Sequence, residues 1–110
     1  MTKYIRNKHT VFNLGYHLIF SSKYRKPYLQ YYEHELKQIF ISIAKEINIH
    51  IEEIEIMPDH IHIFFKCQNN QSTISKIVQK LKGSSSHFIR SKYIWLQQYK
   101  SLWSRCDLIA

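Results

Sequence analysis

Two histidines one residue apart, His60 and His62, are the sharpest chemical feature of this 110-residue chain. They lie in the run Pro58-Asp59-His60-Ile61-His62-Ile63-Phe64-Phe65. On a strand, residues two apart project from the same face. The imidazoles therefore stand side by side, while Ile61, Ile63 and Phe65 turn to the core. Two neutral imidazoles on a rigid strand can hold one divalent ion. Mg²⁺ or Mn²⁺ would also take waters, a phosphate oxygen and usually a further side chain. An ion there would polarise a phosphate ester and stabilise the charge that builds on it. Spacing alone also allows two half-exposed surface histidines, because the motif lacks the third and fourth ligands that make zinc motifs specific.

Basic residues form the second constellation. Lys23, Arg25 and Lys26 flank Tyr24 in a loop closed by Pro27. Cations with an interleaved aromatic suit a phosphate path with one stacked base, and equally a solvated basic loop. Lys76, Lys80, His87 and Arg90 form a basic stripe on a helix, with Gly83 and Ser84 to Ser86 allowing a backbone to come close. Hydroxyls and amides contact phosphate readily, although a charged outer face is also ordinary for a surface helix.

The elements that must position these residues follow from periodicity. Val11 to Phe20 alternates, with Phe12, Leu14, Tyr16, Leu18 and Phe20 on one face and Asn13, Gly15 and His17 on the other. That pattern predicts a half-buried strand. Ser21 and Ser22 read as the start of the basic loop. Tyr31 to Ile47 carries an apolar stripe of Tyr32, Leu36, Ile39, Phe40, Ile43 and Ile47, which predicts a helix. Ile49 to Met57 reads as a strand whose phase slips at Glu52 and Glu53, where a bulge is expected. Met57-Pro58-Asp59 turns into a strand over His60 to Lys66, with proline at the turn because it lacks a ladder donor. Ser72 suits an N-cap for a second helix to about Lys92, with Ile74, Ile77, Val78, Leu81, Phe88 and Ile89 on its apolar face. Leu108-Ile109-Ala110 could begin a last strand. The order is βαββαβ, that of an α+β, ferredoxin-like sandwich with an antiparallel sheet and helices on one face. We expect one domain over 1–110.

Composition bounds the class. Lys and Arg number 16 against 8 acidic residues, for a formal charge of +8, and aromatics make up 15%. A small basic domain of this kind suits a polyanionic partner. No run is long and apolar enough for a membrane span, and the polar Met1 to Thr10 stretch does not lead into a secretory signal. The expected location is cytoplasmic. Cys67 and Cys106 form no C-x-x-C pair and read as two reduced thiols.

Taken together, Asn13-Leu14-Gly15-Tyr16-His17-Leu18-Ile19-Phe20, Lys23-Tyr24-Arg25-Lys26, Pro58-Asp59-His60-Ile61-His62, Lys80-Leu81-Lys82-Gly83 and Leu102-Trp103-Ser104-Arg105 resemble the successive blocks of the single-tyrosine HUH transposases. These are small enzymes of bacterial and archaeal insertion sequences. The resemblance implies that His60 and His62 bind a catalytic divalent metal, Mg²⁺ or Mn²⁺. It implies that a tyrosine on a C-terminal helix attacks a DNA phosphate, forms a 5′-phosphotyrosine link and later rejoins the ends. It further implies a homodimer that recognises single-stranded DNA with hairpins through basic residues. The candidates for that contact are Lys23, Arg25, Lys26, Lys76, Lys80, Lys82 and Arg90. In the family a tyrosine helix, often with a glutamine that adds to the metal site, follows the last strand. Here Cys106 to Ala110 fills the strand position and the chain stops, so we expect the tyrosine helix to be absent and assign no catalytic tyrosine. Three function classes remain open: a transposase acting through phosphotyrosine, a silent remnant that only binds DNA hairpins, and an RNA-binding ferredoxin-like domain. The two histidines on the open sheet face favour metal chemistry over base stacking.

Overall fold

The computed structural model describes residues 14–68 and 74–110. Strand β1 (Leu14–Ser22), helix α1 (Glu33–Glu46), strands β2 (His50–Ile56) and β3 (His60–Cys67), helix α2 (Ile74–Lys92) and strand β4 (Trp103–Ile109) follow in that order. The strands form one antiparallel sheet in the order β2-β3-β1-β4. This is the expected βαββαβ sandwich. Val11 to Asn13 of the expected first strand and the N-cap Ser72 lie outside the described residues.

The sheet divides its two faces by the alternation read from the sequence. Leu18 and Phe20 of β1 and Ile61, Ile63 and Phe65 of β3 are buried. They pack with Leu36, Phe40 and Ile43 of α1 and Ile77, Val78, Leu81 and Ile89 of α2 into one apolar cluster. Phe20 holds the centre, edge-on to both Phe40 and Trp103. On the open face, β1 presents His17, Ile19 and Ser21, and β3 presents His60, His62 and Phe64. The register sets Ser21 opposite His60, Ile19 opposite His62, and His17 opposite Phe64.

Local chemistry explains the ends of the elements. α1 ends where Asn48 enters the left-handed region at φ 61°. The Ile49 amide donates to the Ala44 carbonyl at 2.9 Å and the Asn48 amide to Lys45 at 3.4 Å, a Schellman arrangement that satisfies orphan carbonyls. Asparagine tolerates that conformation better than most residues, and the buried Ile49 plugs the helix end. The phase slip in β2 is a register shift between Ile51 and Glu53, as the adjacent glutamates led us to expect. The β2–β3 turn closes with Met57 donating to the His60 carbonyl at 2.9 Å.

Three expectations need correction. β1 continues through Ser21 and Ser22; Ser22 is buried, and its hydroxyl donates to the Lys26 carbonyl at 2.7 Å, which makes a polar residue acceptable there. The last strand starts at Trp103, five residues before Leu108, because Trp103 packs into the core and its indole donates to Ser85 Oγ at 3.0 Å. Phe88 is 52% exposed and is not part of the buried face of α2; Ser85 lies inward instead.

Lys82 crosses from α2 to β4. Its ammonium donates to the Ser104 carbonyl and to Asp107 Oδ1, and the side chain is only 15% exposed. Removing the cation strands a partly buried carboxylate. Lys82→Met should lower stability by about 1–3 kcal/mol, measured by urea denaturation. An unchanged midpoint would show that this bridge does not hold the edge strand.

Candidate functional site

β3 places His60 and His62 together on the open face, as the spacing predicted. Both are partly buried, between the flanking strands. Asp59 accepts a hydrogen bond from His60 Nδ1 at 2.9 Å. The Asp59 carboxyl is held below its ordinary range, first by the bond to His60 and further by the Arg25 charge, against a desolvation that opposes both. An ionised carboxylate only accepts, so Nδ1 donates in this bond and Nε2 takes no part in it. Carboxylates orient metal-binding histidines in this way. Because the Asp59 pKa is lowered, the arrangement persists at neutral pH and is lost only as pH falls below the usual carboxylate range.

Arg25 completes the network. Its Nη2 and Nε lie 2.9 and 3.1 Å from Asp59 Oδ2. Arg25, Asp59 and His60 are thus one linked chain, and the arginine remains 67% exposed. The turn that carries Arg25 is tied to the β2–β3 turn by backbone bonds: Ser22 donates to the Asp59 carbonyl at 3.0 Å and Leu29 to the Pro58 carbonyl at 3.0 Å. Tyr24 and Arg25 are both left-handed, with φ 59° and 53°. For residues with a Cβ that conformation costs of order 1–3 kcal/mol each and persists only where its surroundings impose it. The strain is the local cost of aiming consecutive side chains in different directions. A cleft of about 320 Å³ opens beside them, lined by Ile19, Ser21, Arg25, His60, Asp107 and Leu108 among others.

His62 has a neighbour that the sequence reading did not single out. Its Nε2 lies 2.9 Å from Nδ1 of His17, and the two rings stack with centroids 5.1 Å apart. Phe64 stacks on the His17 ring, with centroids 4.5 Å apart. Gly15 makes room for it, since a Cβ there would stand 3.0 Å from the Phe64 ring. Glu55 of β2 lies 3.6 Å from His62 Nδ1. The signal was present in the sequence, because His17 falls on the polar face of its strand; what periodicity lacks is that β1 pairs with β3.

The donor set fits part of a divalent-ion site. Two strand imidazoles share a face, and one is oriented by a carboxylate. Among the described residues no group of three or more His, Cys, Asp or Glu side chains converges as a complete site. The remaining positions would fall to water and to phosphate oxygen.

The basic candidates separate into two kinds. Lys23, Arg25 and Lys26 lie together on the turn after β1. Lys76 and Lys80 are exposed on α2. Lys82 is engaged with β4, and Arg90 points inward, donating from Nη2 to the Tyr99 carbonyl at 2.8 Å. Both serve the packing of the C-terminal segment. Gly83 faces open space.

No tyrosine of the described residues lines the His60 cleft. The Tyr93 hydroxyl donates to Glu35, a bond that raises its pKa and disfavours the phenolate. Burial raises that of Tyr28. Tyr4 lies outside the described residues.

The protein is thus an antiparallel βαββαβ sandwich with an HxH pair on its open face and a basic turn beside it. The family model described as "Transposase IS200 like" matches residues 10–106, and the chain belongs to that family. ISDra2 transposase TnpA of Deinococcus radiodurans is 34% identical over 94 residues, 84% of this chain and 65% of that protein. The transposase for insertion sequence element IS200 of Salmonella typhimurium is 32% identical over 89 residues, 77% of this chain and 56% of that protein. The chain therefore spans a little over half to about two thirds of the length of these curated relatives. Among solved structures, a transposase candidate from Deinococcus radiodurans superposes with a TM-score of 0.85 at 28% identity, covering 96% of this chain and 84% of that one. A REP-associated tyrosine transposase bound to a REP hairpin shares the fold, with a TM-score of 0.68 at 14% identity, covering 100% of this chain and 61% of that one. No helix of the described residues is long and apolar enough to cross a membrane.

Proposed function

We propose that this chain binds single-stranded DNA with hairpins at the ends of an insertion sequence and holds a divalent ion, Mg²⁺ or Mn²⁺, on His60 and His62 for strand cleavage and rejoining. The observation that carries this reading is the Arg25–Asp59–His60 chain at the mouth of one cleft, in a member of the IS200-like family. When bound, the ion would polarise the scissile phosphate and stabilise its developing charge. Arg25 holds a phosphate oxygen from the side, as a planar cation with donors in a fixed fork can. Asp59 orients both groups. Lys23 and Lys26 extend the phosphate path on the turn, and Lys76 and Lys80 offer a second stretch on α2. Lys82 and Arg90 support the edge of the site from inside. The homodimer, the phosphotyrosine step and the cytoplasmic location are part of the same proposal, drawn from the family.

A second reading, DNA binding without cutting, is favoured by one observation: no described tyrosine lines the cleft. Both readings require hairpin binding. Fluorescence anisotropy of a labelled hairpin oligonucleotide tests it, with saturable, salt-sensitive binding expected; no binding at low salt would sink both.

A further inference from the structure

A second cleft, of about 560 Å³, lies on the other side of the basic turn. It is lined by Lys23, Tyr24, Gln98, Tyr99, Lys100, Ser101 and Arg105, and no acidic residue among the described residues lines it. The Lys23 amide donates to the Leu102 carbonyl at 2.9 Å, which fixes the turn against the segment that forms the opposite wall. Tyr24 is 80% exposed, and the Lys23 ammonium sits 5.2 Å from its ring centroid. Lys100 and Arg105 are exposed.

The strained turn borders both clefts. Arg25 reaches back to Asp59 and lines the His60 cleft, while its left-handed neighbour Tyr24 lines this one. Consecutive residues thus serve adjoining sites. An aromatic face open to solvent, with cations around it and no carboxylate among its lining residues, matches an unpaired nucleotide: a base to stack and phosphates to neutralise. A duplex hides its base faces and would use only the cations.

We propose that this cleft takes one unpaired nucleotide of the strand whose phosphate lies at Arg25 and His60, with its base on Tyr24 and its phosphate at Lys100 and Arg105. The assignment rests on the DNA reading above and adds to it a subsite for the single-stranded flank.

Two labelled oligonucleotides test it by anisotropy: a blunt hairpin, and the same hairpin with an unpaired flank. Tyr24→Ala should weaken binding of the flanked hairpin about tenfold, the size of one lost base stack, and leave the blunt one unchanged. Tyr24→Phe should restore the flanked affinity, because the stack needs the ring and not the hydroxyl. Lys100→Ala with Arg105→Ala should weaken the flanked hairpin and reduce its salt dependence. These side chains are exposed, so the variants should fold. If wild type binds both oligonucleotides and the variants bind the flanked one equally well, the subsite is wrong and the DNA reading stands. Equal losses on both oligonucleotides would also overturn it, because the contact would then be to the hairpin. If wild type binds neither, both readings fall.

Discussion

Changing His60 and His62 together to alanine should abolish Mn²⁺ binding and leave most of the hairpin affinity in place. The two imidazoles are the donors that β3 brings to one face as the proposed ion ligands, so the double replacement removes both of them. Hairpin affinity should survive because phosphate neutralisation falls to cations elsewhere, chiefly Lys23, Arg25, Lys26, Lys76 and Lys80. Calorimetry reads the first effect and anisotropy the second. Both side chains are partly exposed on the open face, so neither replacement opens a core cavity. Unchanged Mn²⁺ uptake in the double variant would sink the metal assignment. Collapse of hairpin binding together with metal binding would mean that the ion itself holds the DNA.

The second large effect is that of salt. A protein that neutralises phosphates releases condensed counterions, so its affinity falls steeply as salt rises. If the five cations just named each meet one phosphate, affinity should drop by about 10²–10³ between roughly 50 and 200 mM salt. Lys82 and Arg90 are left out of that sum, because each already donates to a group within the chain. Lys80→Ala should therefore flatten the slope by about one phosphate contact, while Arg90→Ala should act on folding. Salt-insensitive binding would count against a phosphate-led interface.

How far the sequence reached depended on the kind of contact involved. The HxH pair was legible because a strand's two-residue repeat alone places both rings on one face. The bulge at Glu52 and Glu53 was legible because adjacent glutamates break the same repeat. His17 was not recognised as the partner of His62, since their contact depends on the pairing of β1 with β3 across 45 residues. The contacts of Lys82 and Arg90 within the chain were missed for a related reason. Helical spacing gives the angle at which a side chain leaves the axis, but a long cation at the margin of the buried face can turn inward when a carboxylate or carbonyl waits there. Ser22 shows the limit of polarity as a loop signal: its hydroxyl finds a carbonyl, and the strand runs on. The left-handed Tyr24 and Arg25 had no sequence signature, because neither is the glycine or asparagine that usually marks that conformation.

The most direct test of the central claim, an ion on His60 and His62 beside bound DNA, is local scission by Fe²⁺. The protein is loaded with Fe²⁺ in place of Mn²⁺, bound to an end-labelled hairpin with a single-stranded flank, and treated with ascorbate and peroxide. Radicals born at the ion reach only nearby sugars. We predict cuts confined to a short run of nucleotides, lost in the variant that carries His60→Ala and His62→Ala although it still binds. Cuts spread evenly along the DNA, or a focused pattern that survives in that variant, would contradict the account.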